Sequence, residues 1–193
     1  MHRELFTADF APADYPEYAG TYWGTPDTPL ADVRMSAPSQ IDPDVVYEFC
    51  PPREVPCPMQ ERGINIHSLL KEPEQEDYDR LIDLAYAFCR FGKIHPFIDG
   101  NGHVQRAVFA VMATELGFPL SLRFIICPRP FDRLLAVALE NFGQAPDDKE
   151  REELGLVAEY LAYFLDGPFN APRKHVGIAL LYTSWRRELE CVE

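Results

Sequence analysis

His95-Pro-Phe-Ile-Asp-Gly-Asn-Gly-His-Val-Gln-Arg106 is the stretch whose reading decides this chain. Pro96 has no amide hydrogen and cannot sit inside a helix, so the incoming segment ends at His95. Gly100 and Gly102 permit positive φ and carry no side chains that would block a ligand, and Asn101 tolerates left-handed geometry. A new helix starts straight after the turn. Its first N–H groups lack intrahelical acceptors and sit at the positive end of the helix dipole, a place that suits phosphate. Arg106 lies one helical turn beyond Gly102, where a guanidinium can reach back and hold phosphate oxygens in a fork. Asp99 would be repelled by that phosphate unless a hard cation stood between them, and Mg²⁺ takes a carboxylate and phosphate oxygens together. His95, with an ordinary pKa of about 6.5, is placed to take a proton. Base, metal carboxylate, backbone cradle and arginine are the parts of a phosphate-transfer site with no covalent step on the enzyme.

Working outward, Leu81, Leu84, Ala85, Phe88 and Phe91 recur at helical spacing. They predict a helix opened by the acids before it and closed near Gly92. After the turn, Gly102 to Gly117 predicts a second helix with Val104, Val108, Val111 and Leu116 inward, stopped by Gly117 and Pro119. Pro130–Phe142, Glu150–Leu165 and Val176–Cys191 read as further helices, with Cys89 and Trp185 on apolar stripes. The segment up to about Pro58 is too rich in proline for long helices. Within it, Ala31–Met35 and Val45–Phe49 read as two short strands of an exposed hairpin. The fold class expected is all-α, a helical bundle carrying a small β-hairpin.

The chain has 193 residues, 47% of them hydrophobic, enough for one domain with its own core. Its 18 basic and 31 acidic residues leave a net charge of −13, a field that repels a phosphate backbone, so no nucleic-acid partner is expected. The acids cluster in residues 72–79 and 147–153, which read as solvated helix starts. No apolar run is long enough to cross a membrane, and the N-terminal residues lack the apolar core of a signal peptide. An odd set of five cysteines fits a reducing compartment. The expected location is cytoplasmic, with secretion by a route that needs no such signal also open.

The stretch from His95 to Arg106 resembles the motif of the Fic family, His-Pro-Phe-x-Asp/Glu-Gly-Asn-Gly-Arg-x-x-Arg. The likeness extends to YAGTYWG at 18–24, FCPPREVP at 49–56, the helix before the motif and FDRLLAVAL at 131–139. A Fic domain would then span 15–165, after an N-terminal segment 1–14 and before a C-terminal helix in 166–193. The resemblance implies a protein adenylyltransferase (an AMPylator) that moves AMP from ATP onto a Ser, Thr or Tyr hydroxyl of a target protein. It implies His95 as general base, Asp99 on Mg²⁺, Gly100, Asn101 and Gly102 around the α- and β-phosphates, and Arg106 on the outer phosphates. Phe97 would anchor the loop. The hairpin within Ala31–Phe49 resembles the family's flap, which pairs with a target by strand addition. His103 departs from the motif's arginine, removes a fixed charge and cannot copy an arginine fork; it reads as a surface helix residue.

Ser184 and Glu188, spaced i,i+4 in SWRREL, resemble the family's inhibitory helix, whose glutamate would pair with Arg106; Leu189 stands where that motif has Gly or Asn. The same resemblance brings a homo-oligomer or a separate antitoxin into view as partners. Three readings stay beside the enzyme. The first is a catalytically silent or self-inhibited Fic-fold regulator that binds nucleotide or a partner. The second is a transition-metal site of His95, Asp99 and His103, against which Pro96 and the glycine turn break the shared face. The third is structural: Asp99 as a helix cap, with Tyr22 and Trp23 packed under a loop.

Overall fold

A hairpin of β1 (Ser36–Pro38) and β2 (Val46–Glu48) precedes five α-helices, α1 (Pro56–Lys71), α2 (Asp77–Ile94), α3 (Asn101–Glu115), α4 (Pro130–Gln144) and α5 (Leu154–Ala162). The computed structural model describes residue 2 and residues 18–71, 76–122, 124, 130–146, 149–150 and 154–166. The architecture is the expected helical one with a small hairpin. α2 is central and packs against α1, α3, α4 and α5. Its apolar stripe, with Leu84, Ala85 and Phe88, meets Phe109, Phe142 and Leu161 in one core cluster. Burying each large apolar side chain contributes ~1.5–3 kcal/mol.

α2 runs past Gly92 to Ile94, so Gly92 does not end it. That glycine serves close packing instead. A Cβ there would meet Gln105 Nε2 at 3.0 Å and Leu139 Cδ2 at 3.4 Å. The left-handed residue that closes the helix is His95, at φ 51° and ψ 58°. Val104 in α3 and Leu116 at its C-cap are buried as expected, but Val111 is 49% exposed. Phe109, Met112 and Ala113 face the main core, whereas Val104 joins Phe91 and Phe97 under the loop. The two ends of α3 therefore pack against different neighbours, and one stripe does not describe them.

α1 opens on the last residues of the proline-rich stretch and runs on to Lys71, through residues 59–71 where the sequence pattern predicts no element. Pro56 and Pro58 lie in its first turn, where the missing N–H groups cost nothing. α5 is shorter than Glu150–Leu165, and α4 runs two residues beyond Phe142. Glu150 is 1% exposed and accepts from Arg90 Nη1 at 2.5 Å and Lys93 Nζ at 2.8 Å, both on α2. One acid of the 147–153 run is thus a buried ion partner and not a solvated helix start. The helix expected over Val176–Cys191, with Ser184, Trp185 and Glu188, lies outside the described residues.

The hairpin's second strand lies where expected, and its first is displaced. Ala31 to Val33 are used in turns, with Ala31 N–H donating to Thr28 O at 3.1 Å and Val33 N–H to the buried Leu30 at 3.4 Å. The ladder pairs Ser36 with Glu48, Ala37 with Tyr47 and Pro38 with Val46. Phe49 N–H to Met35 O at 3.1 Å and Ser39 N–H to Val45 O at 3.0 Å extend it at either end. Ile41, Val45 and Val46 are exposed. The inner side is not free, because Glu140 on α4 accepts Ser39 Oγ–H at 2.5 Å and Gln40 N–H at 2.7 Å.

Candidate active site

His95 is held by its backbone on both sides. Its N–H donates to Phe91 O at 2.9 Å, and its carbonyl accepts the indole N–H of Trp23 at 2.6 Å. A non-glycine residue in the left-handed region is disfavoured by roughly 1–3 kcal/mol, and these two bonds fix it there. Trp23 is buried, so its packing role holds, and it also grips the loop. The imidazole stacks on Phe49 of the hairpin, with centroids 4.0 Å apart and planes 19° apart. Burial lowers its pKa from 6.5 to about 4. The ring is neutral at pH 7, and its proton affinity is not the ordinary one expected from the sequence.

The loop after it is clamped by Asn101. Asn101 Oδ1 accepts Phe97 N–H at 2.9 Å and its Nδ2 donates to Phe97 O at 2.5 Å. Both residues are buried, so this side chain shapes the loop and is committed to it. Phe97 is the anchor expected; its ring stacks on His2 with centroids 3.8 Å apart. His2 accepts Gly20 N–H on Nδ1 at 2.9 Å, which leaves the proton on Nε2 to reach Asp99 O at 3.2 Å. Gly100, at φ 75°, is the residue capping α3, and no side chain caps that helix end. Asp99 is therefore not the helix cap. It is exposed, and its Oδ1 accepts Gly100 N–H at 2.6 Å.

Gly102 leaves room for the arginine one turn on. A Cβ there would lie 3.4 Å from Arg106 Nη1, so the guanidinium folds back over the turn. His95, Asn101 and Gly102 line one pocket of about 240 Å³, roofed by Tyr47 and Phe49 of the hairpin and walled by Glu140 of α4. Asp99 and Arg106 flank that pocket without lining it; Arg106 borders a smaller cavity of about 40 Å³ beside Phe109 and Tyr160. Gln105 was not anticipated. Its Nε2 donates to Phe88 O at 2.8 Å and it separates the two cavities.

A single exposed carboxylate fits an ion that draws its other ligands from a polyphosphate and water, as Mg²⁺ does. It does not fit a protein-caged metal, and among the described residues no group of three or more His, Cys, Asp or Glu could hold one. The transition-metal reading of His95, Asp99 and His103 is thus not assembled, and His103 is exposed on α3 as a surface residue. The described cysteines are free thiols, and burial pushes Cys50 up to about 11 and Cys89 higher still. Neither is an activated nucleophile.

A helical bundle whose hairpin roofs a histidine and a glycine-gapped helix start brings an imidazole and a helix N-terminus into one pocket. A family model described as Fic/DOC family matches residues 10–113, more than half of the chain. The chain belongs to the Fic/DOC family, whose members commonly transfer AMP or other nucleotide groups. No curated protein sequence matches it. No helix among the described residues is long and apolar enough to cross a membrane.

Proposed function

We propose that this chain is a protein adenylyltransferase, moving AMP from ATP to a Ser, Thr or Tyr hydroxyl of a target protein. The observation that carries the reading is that the His95 imidazole and the bare start of α3 share one pocket. Gly100 and Gly102, with the first amides of α3, would receive the α- and β-phosphates, and the folded-back Arg106 the outer ones. Asp99 would hold Mg²⁺, which screens the charge on the phosphates and on the leaving pyrophosphate. The neutral His95 takes the proton of the acceptor hydroxyl as its oxygen bonds to the α-phosphorus. The bond from that phosphorus to the bridging oxygen breaks, and pyrophosphate leaves. A bound polyphosphate raises the proton affinity of His95 from its buried value, because an anion favours imidazolium.

The open edge of the hairpin would present the target by strand addition. His103 leaves α3 without the motif's first arginine, so phosphate binding would rest on Arg106 and backbone amides. Pairing of Glu188 with Arg106 as a brake belongs to the same reading, and Glu188→Gly should then raise transfer. The deciding experiment is incubation with ATP and Mg²⁺ and intact-mass analysis of the protein and of lysate partners. An AMP adduct lost in His95→Ala supports the reading; no adduct in the native chain or in Glu188→Gly removes it.

A further inference from the structure

We propose that Glu140 is a positioning residue for His95, acting through the hairpin: its carboxylate fastens the hairpin to α4 so that Phe49 covers the imidazole. Glu140 is 6% exposed and reaches across 101 and 100 positions of sequence to Ser39 and Gln40. It receives Ser39 Oγ–H at 2.5 Å, Gln40 N–H at 2.7 Å and Gln144 Nε2–H at 3.1 Å. Ser39 Oγ in turn accepts the N–H groups of Ile41 at 3.1 Å and Asp42 at 3.0 Å. One carboxylate thus fixes the bend that joins β1 to β2. Buried carboxylates persist only where donors satisfy them, and such charge-assisted bonds are the stronger kind.

The rest of the hairpin follows. Tyr47 and Phe49 are two apart on a strand and point the same way. The Tyr47 hydroxyl fits against Gly143, where a Cβ would lie 2.0 Å from it, one turn along α4 from Glu140. Phe49 then lands on His95. Tyr47 and Glu140 are the titratable groups that line the pocket with His95, while Asp99 and Arg106 flank it. Burial is the cause of the low proton affinity of His95, so whatever holds the cover in place sets it.

The inference rests on His95 being the base only for its meaning in catalysis. The tests are Glu140→Gln, Glu140→Ala and the milder Ser39→Ala, in the full chain. In Glu140→Gln an amide N–H faces at least one donor that the carboxylate accepted. Amide exchange at Ser39, Gln40 and Phe49 should speed up about tenfold, the size of one lost charge-assisted bond, with α2 and α3 unchanged. The His95 imidazole resonance should titrate above its buried value of about 4, toward 6.5. Loss of a nearby negative charge alone would move that midpoint down. A midpoint that stays or falls in all three variants, or unchanged hairpin exchange, overturns the proposal. With ATP, the variants should lose kcat and keep the KM for nucleotide. If the native chain transfers nothing, the adenylyltransferase reading fails, while exchange and titration still decide this one.

Discussion

At His95 two demands meet in one residue. The backbone must turn left-handed to leave α2, and the side chain must enter a pocket that burial keeps neutral. The folded-state pKa of about 4 lies below the usual 6.5, so between those values the unfolded chain binds more protons. Stability should be fully present above pH 6.5 and fall as pH drops toward 4, by at most about 3 kcal/mol from this group. Denaturant midpoints across that range check it, and Phe49→Ser should flatten the dependence by exposing the ring. Asn101→Asp should cost about 2 kcal/mol, read as a lower melting temperature, because one carboxylate oxygen would then face Phe97 O in place of an N–H donor. The grouping was legible at this scale, since spacing alone put His95, the glycines and Arg106 within one turn and the helix start that follows it. The clamp by Asn101 was not, because it depends on how the loop curls back four residues.

Between α4 and the hairpin, one missing methyl decides the fit. Gly143→Ala places a Cβ against the Tyr47 hydroxyl. Helix propensity by itself favours the alanine by up to ~1 kcal/mol. The melting temperature should therefore hold or rise while amide exchange across 36–48 quickens; unchanged or slower exchange there would refute the contact. Periodicity made α2, α3 and α4 readable, because their apolar faces serve one core. It misplaced β1, since turn hydrogen bonds consume Ala31 to Val33. It missed α1, whose prolines sit where a helix tolerates them. It also gave Gly92 a stop signal, when the glycine is there to let Gln105 and Leu139 approach.

Across the whole molecule, an acidic chain buries a carboxylate between two cations. Glu150→Gln should destabilise the fold by roughly 3 kcal/mol, because Arg90 and Lys93 would keep their burial and lose their shared anion. Urea unfolding measures it, and a shift under a tenth of that would place the pair in effective contact with water. Contacts of this kind join residues about sixty positions apart, and no local pattern announces them. Trp23 is another, joined to His95 across seventy-two positions. Its indole, 1% exposed and hydrogen-bonded to the carbonyl of His95, is a fluorophore already wired to that loop. The chain has two tryptophans, so in Trp185→Phe the emission colour and intensity report that loop alone. Quenching as the His95 imidazole gains its proton, setting in at higher pH when nucleotide is added, would let the site be watched in real time without a label.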